Sequence, residues 1–117
     1  MRILRERADF EAVLRSGCRF ASRHFVLRAQ ANGYTHARLG IIAGRKAAAR
    51  AVDRNRGKRL VREAFRTALS SLGPYDVTIQ LRSDLRGELN GAVREELRKL
   101  LESVARLTPS ETQSLRQ

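Results

Sequence analysis

The 117-residue sequence holds 24 Lys and Arg against 12 Asp and Glu, for a formal net charge of +12. That length suits one layered core rather than two. The charge-broken start MRILRERADF predicts no signal peptide, and no run of about 18 apolar residues predicts a membrane span. The single cysteine, Cys18, excludes an intramolecular disulfide and fits a reducing, cytoplasmic setting.

The first predicted helix is capped by Asp9, places Phe10, Val13 and Leu14 on one face, and ends at Gly17 in a left-handed conformation. From about Arg19 to Ala31, Phe25, Leu27 and Ala29 alternate with Val26, Arg28 and Gln30. Asn32-Gly33 then supplies a turn before Arg38 to Ala43, so these two segments are expected to pair as antiparallel neighbours. Between Val52 and Leu72 the residues Leu60, Val61, Ala64, Phe65, Ala68, Leu69 and Leu72 form a continuous helical stripe, which Gly73-Pro74 stops. Tyr75 to Arg82 reads as a strand with one buried face, Val77, Ile79 and Leu81. A last helix capped by Ser83 or Asp84 carries Leu85, Leu89, Val93, Leu97, Leu100, Leu101 and Val104. The segment TPSETQSLRQ, 108–117, has no period and is expected to be a disordered tail behind a single domain of residues 1–107. The class is α+β, helices on a mixed four-stranded sheet in the order α-β-β-β-α-β-α.

The charge is concentrated. From Arg45 to Arg66 there are nine basic residues (Arg45, Lys46, Arg50, Arg54, Arg56, Lys58, Arg59, Arg62, Arg66) and two acidic ones, Asp53 and Glu63. Of the 24 basic residues, all but Lys46, Lys58 and Lys99 are Arg, whose planar fork suits phosphate oxygens and also stacks on bases. On a helical wheel Arg59, Arg62 and Arg66 lie away from the apolar stripe, while Arg54 and Lys58 fall beside it. Core contact is therefore expected to begin near Leu60, with the first two turns projecting beyond the core. Cations at a helix start oppose the dipole, a cost that a bound polyanion offsets.

The stretch AVDRNRGKRLVREAFR resembles the RNR signature of the bacterial ribonuclease P protein subunit family, through Arg54-Asn55-Arg56, Lys58-Arg59, Arg62-Glu63 and Phe65-Arg66. The similarity extends through DFEAVLRSG (9–17), RHFVLR (23–28), RLGI (38–41), Arg45-Lys46 and YDVTIQLR (75–82). Ala49 and Gly44 depart from it, standing where the family often has Gly and a small hydroxyl residue.

The resemblance implies a subunit that assists a catalytic RNA, one protein per RNA, in endonucleolytic removal of the 5′ leader from precursor tRNA, with Mg²⁺ held mainly by the RNA. It implies that Arg54, Asn55, Arg56, Lys58, Arg59 and Arg62 face the catalytic RNA, flanked by Arg45, Lys46, Arg50 and Arg66. A cleft lined by Phe10, Leu14 and Arg28 would take the single-stranded leader. Phe10 is equally the natural core residue of the first helix, and the residues leave both roles open. Leu14 and Arg28 stand where the family usually has aromatics, which shifts leader contact toward electrostatics. The resemblance further implies the fold of the second domain of ribosomal protein S5, with a left-handed β-α-β crossover against the usual right-handed rule.

Neither a catalytic centre nor a protein-held metal is expected. His24 and His36 have no partnering motif, and Asp9, Asp53, Asp76 and Asp84 sit on different elements. The alternative function is a structural, ribosomal-protein-like RNA binder; DNA and membrane are not expected partners, since no helix-turn-helix pairing is evident. Arg54→Ala and Arg56→Ala are both expected to weaken RNA assembly without altering the thermal melt.

Overall fold

The computed structural model describes residues 1–45, 48–83 and 85–107. The expectations for Lys46, for Asp84 as a cap and for the tail at 108–117 lie outside these residues. In chain order the elements are β1 (Arg2–Ile3), α1 (Arg7–Ser16), β2 (Cys18–Ala21), β3 (Phe25–Ala31), β4 (Arg38–Ile42), α2 (Ala51–Ala68), β5 (Tyr75–Leu81) and α3 (Asn90–Ala105). A short 3₁₀ turn, Leu69–Ser71, follows α2.

The fold is α+β, but the sheet has five strands rather than four, in the order β1-β4-β5-β3-β2. The added strand is β1, two residues parallel to β4, too short to leave an alternating pattern in the sequence. The expected pairing of β3 with β4 does not occur. β5 lies between them, antiparallel to β3 and parallel to β4. The Asn32-Gly33 turn, with Gly33 at φ +76°, therefore reverses the chain without closing a two-stranded hairpin. In that central position β5 is buried on both faces, Asp76 and Thr78 as well as Val77, Ile79 and Leu81, which corrects the expectation of a single buried face.

The two faces of the sheet differ chemically. One presents Phe25, Leu27, Ala29, Leu39, Val77, Ile79 and Leu81, and onto it pack Leu60, Val61 and Phe65 of α2 and Val93, Leu97, Leu101 and Val104 of α3. Each such large side chain, wholly withdrawn from water, contributes about 1.5–3 kcal/mol. The other face presents Arg38, Gly40, Asp76, Thr78, Arg28 and Gln30, and α1 lies across it over β3 and β5.

Helix termini depart from the expected caps. Glu6, not Asp9, precedes α1, and Asp9 sits in the first turn. Gly17 is extended, at φ −74° and ψ 153°, so the predicted left-handed cap is absent. A glycine is needed there for another reason: a Cβ would stand 2.6 Å from the Val13 carbonyl oxygen and 3.1 Å from that of Ala29. The last helix begins at Asn90, not at Ser83. Leu85 belongs to the preceding loop, where it is fully buried in the core shared by α2 and α3, while Leu89 is exposed.

Candidate nucleic-acid interface

The helix predicted to carry function forms as α2, and its polar residues divide into two groups. Asn55, Arg59, Arg62 and Arg66 are all exposed. At 100° per residue they fall within a single narrow stripe, and at 1.5 Å per residue that stripe runs about 16 Å along the helix. Among the described residues Arg59, Arg62 and Arg66 form no ion pair. The arginines of α3 are neutralised instead: Arg94 pairs with Glu63 at 3.2 Å, Arg98 with Glu95 at 2.7 Å and Glu102 at 2.8 Å, and Arg106 with Glu102. The unbalanced positive field thus lies along α2. Lys58 is half-buried beside the stripe, and Arg45 and Arg50 are exposed ahead of it, Arg50 lying 3.4 Å from Asp53.

The two arginines of the RNR triplet turn inward. Arg54 donates from Nη1 to the carbonyl oxygens of Ala48 and Ala49, at 2.9 and 2.8 Å, fastening the loop that leads into α2. Arg56 donates from Nη1 to the Leu85 carbonyl at 2.8 Å, from Nη2 to the Glu88 carbonyl, and from Nε to Asn90 Oδ1 at 2.9 Å. It holds the loop before α3 against α2. The first two turns therefore do not project past the core as expected. Asp53 is only 9% exposed and Gly57 is buried, with Leu81 and Leu85 packed at its Cα side. The wheel misassigned this region because the covering residue, Leu85, is distant in sequence and was read as part of a helix.

The residues expected to line a leader cleft lie at the polar face of the sheet. The Phe10 ring rests on Gly40: a Cβ built at Gly40 would come within 2.5 Å of Phe10 Cε1, with Leu4 alongside at 3.2 Å. Phe10 is half-buried and Leu14, one turn on, is 40% exposed. Strand register places Gly40, Thr78, Arg28 and Arg19 in one row across β4, β5, β3 and β2. Gly40 and Arg28 are two strand spacings apart, roughly 10 Å. The Arg28 guanidinium extends along this face toward Gln80 Oε1, at 3.5 Å. The structure thus brings Phe10 and Arg28 to the same face of the sheet, where the Phe10 ring packs on Gly40 and stays half-buried. Gly40, Thr78 and Arg19 were missed, and only the central placement of β5 reveals their common row.

The two histidines lie at opposite ends of β3. His24 is buried, its Nδ1 2.7 Å from Glu96 Oε1 and its Nε2 3.5 Å from Glu88 Oε1. His36 stacks on Tyr34 with ring centroids 5.8 Å apart. Burial works to raise the Glu96 carboxyl, but hydrogen bonds from the His24 ring, the Ser22 hydroxyl and the His24 amide outweigh it and hold the group below its ordinary range. Among the described residues no helix is long and apolar enough to cross a membrane.

Fold and surface together define a class: a small α+β protein that presents one stripe of arginines with no ion pair among the described residues on one side of its sheet and a polar, helix-crossed face on the other. The ribonuclease P family model matches residues 1–105, and the chain belongs to that family. It is 39% identical over 103 residues to the ribonuclease P protein component of Azotobacter vinelandii, covering 86% of this chain and 78% of that one. It is 44% identical over 92 residues to that of Ralstonia pickettii, covering 73% and 66%. The fold is similar to the RNase P protein from Thermotoga maritima, with a TM-score of 0.76, 32% identity, and 92% and 99% of the two chains covered.

Proposed function

We propose that the protein is the subunit of ribonuclease P that assists a catalytic RNA in removing the 5′ leader from precursor tRNA. The observation that carries this reading is the contrast between α2, where Arg59, Arg62 and Arg66 have no acidic partner among the described residues, and α3, where every arginine does. Unneutralised guanidiniums in a line suit the phosphates of a folded RNA. Lys58, Arg45 and Arg50 extend that surface, and Asn55 adds a neutral hydrogen-bonding group to it. The cleft beside α1 takes the leader: Phe10 and Leu14 offer apolar surface to bases, and Arg28 a guanidinium that stacks or meets phosphate. One protein serves one catalytic RNA in the cytoplasm, and the β4–α2–β5 crossover is left-handed, as in the second domain of ribosomal protein S5.

Mg²⁺ for the hydrolysis is assigned to the RNA. The protein's part in this reading is to bind and position both RNAs. Cleavage of a precursor tRNA by ribonuclease P RNA at low Mg²⁺, with and without the protein, tests the proposal. Strong stimulation that disappears without the RNA subunit supports it. Tight RNA binding with no stimulation would instead make the protein a structural RNA binder.

A further inference from the structure

A second surface, around Arg38, combines an exposed ring with cations that form no ion pair among the described residues. Tyr34 is 52% exposed and its ring is nearly parallel to that of His36, with 15° between the planes. The Arg38 guanidinium lies 4.7 Å from the Tyr34 ring centroid. These three residues, with Met1, Arg2, Ile3 and Arg5, line a concavity of about 410 Å³. Arg2 is in register with Arg38 across the β1–β4 pair. Arg38 is already occupied by Asp76, at 2.7 Å, whereas Arg2 and Arg5 are exposed and form no ion pair among the described residues.

The platform is preorganised. Asn32 Oδ1 accepts from the Tyr34 amide at 2.8 Å, and Asn32 Nδ2 donates to the His36 carbonyl at 3.1 Å and to Asp76 Oδ1 at 2.9 Å. Those bonds fix the turn through its backbone, so neither ring is needed to close it. The Tyr34 ring, left half in water beside the partly covered His36 and near two guanidiniums with no ion pair among the described residues, fits a planar group carrying negative charge. We propose that this concavity binds an unpaired nucleotide of an RNA strand, its base stacked on Tyr34 and its phosphates on Arg2 and Arg5. Stacking and cation–phosphate contact together are how single strands are gripped without sequence preference. The inference rests on the reading of the protein as an RNA-binding subunit but uses none of the residues assigned to that interface.

The source of the nucleotide is either the precursor's leader or an unpaired segment of the catalytic RNA. Tyr34→Ala, Tyr34→Phe and the double variant Arg2→Ala/Arg5→Ala are to be assembled with ribonuclease P RNA, and binding of precursor and of leaderless tRNA measured beside assembly with the RNA itself. Tyr34→Ala is expected to weaken one of these bindings by about tenfold, within the range of base–aromatic stacking, while Tyr34→Phe retains it. The arginine double variant is expected to weaken the same binding and to lessen its salt dependence. Loss confined to the precursor identifies the leader, and loss in RNA assembly identifies the catalytic RNA. Wild-type binding by Tyr34→Ala to every RNA overturns the site. If Arg59→Ala loses RNA in the same assays, the subunit reading survives that failure; a wild-type protein that binds no RNA overturns both.

Discussion

Arg38 and Asp76 meet in a two-pronged ion pair, Nε to Oδ1 at 2.8 Å and Nη2 to Oδ2 at 2.7 Å, beneath the N-terminal end of α1. The bond to Asp76 raises the Arg38 pKa above its ordinary value against the opposing effect of burial, and the charges of Asp76 and Asp9 add to it. Asp76 sits on the central strand and is buried, so it depends on Arg38 for its countercharge. Arg38→Ala is expected to destabilise the fold by about 3 kcal/mol, because it strands a buried carboxylate. Arg38→Lys retains the charge but not the fork, and should fall between. Urea unfolding at neutral pH checks both.

The inward turn of Arg56 separates two arginines that look alike in sequence. Contrary to the unchanged melt expected from the sequence, Arg56→Ala is expected to lower stability by about 2 kcal/mol, since it removes charge-assisted bonds to two backbone carbonyls and to Asn90. Arg59→Ala and Arg62→Ala should leave the melt within about 0.5 kcal/mol of wild type and weaken binding to the catalytic RNA. Thermal melts paired with RNA titrations distinguish these outcomes.

Salt dependence should reflect the smaller number of outward cations. With Arg45, Arg50, Lys58, Arg59, Arg62 and Arg66 each meeting a phosphate, affinity is expected to fall on the order of 10³-fold between about 50 and 200 mM salt. Had all nine basic residues of the segment faced RNA, the fall would approach ~10⁵-fold. The slope of binding against salt concentration reads the difference.

Acid should loosen α3 through Glu96. Its folded pKa is depressed, so its contribution is fully present above the unfolded value near 4.5 and is lost as pH falls through the lower folded value. Glu96→Gln is expected to be less stable at neutral pH and to lose less further stability on acidification. Melting temperatures of the two proteins from pH 7 down to the acid limb provide the check.

The approach of Gly40 to the Phe10 ring makes position 40 a control on cleft shape. Gly40→Ala must displace that ring, because the added carbon has 2.5 Å where contact needs well over 3 Å. The expected cost is about 1–3 kcal/mol, with weaker binding of precursor tRNA and unchanged binding of the leaderless form.

The elements were legible where one residue pattern decided them. The stripe from Leu60 to Leu69 specified α2, and Gly73-Pro74 marked its end. Sheet order was not legible, because β3 and β4 read as a hairpin across Asn32-Gly33. Nothing local states that Tyr75–Leu81 will enter between them; only Asp76 and Thr78, polar yet buried, betray a strand covered on both faces. At the candidate site, the exposed arginines at 59, 62 and 66 followed from helical spacing. The inward roles of Arg54 and Arg56 did not, since their partners are backbone carbonyls, which carry no signature in sequence. Gly17 does end α1 as read, but in an extended conformation, and its small size serves the approach of α1 to β3.

The central place of β5 has a consequence for how the chain is made. As it leaves the ribosome, β3 and β4 emerge first, each with a bare inner edge and no bonded neighbour between them, and α2 follows before the strand that joins them. Until residues 75–81 arrive, the two half-sheets cannot unite and α2 has no finished surface to lie on. Synthesis thus delays the arginine-bearing helix until one late strand completes the sheet, so nascent fragments ending before β5 should lack the RNA affinity proposed for the folded protein and, with their open edges, be prone to associate with one another.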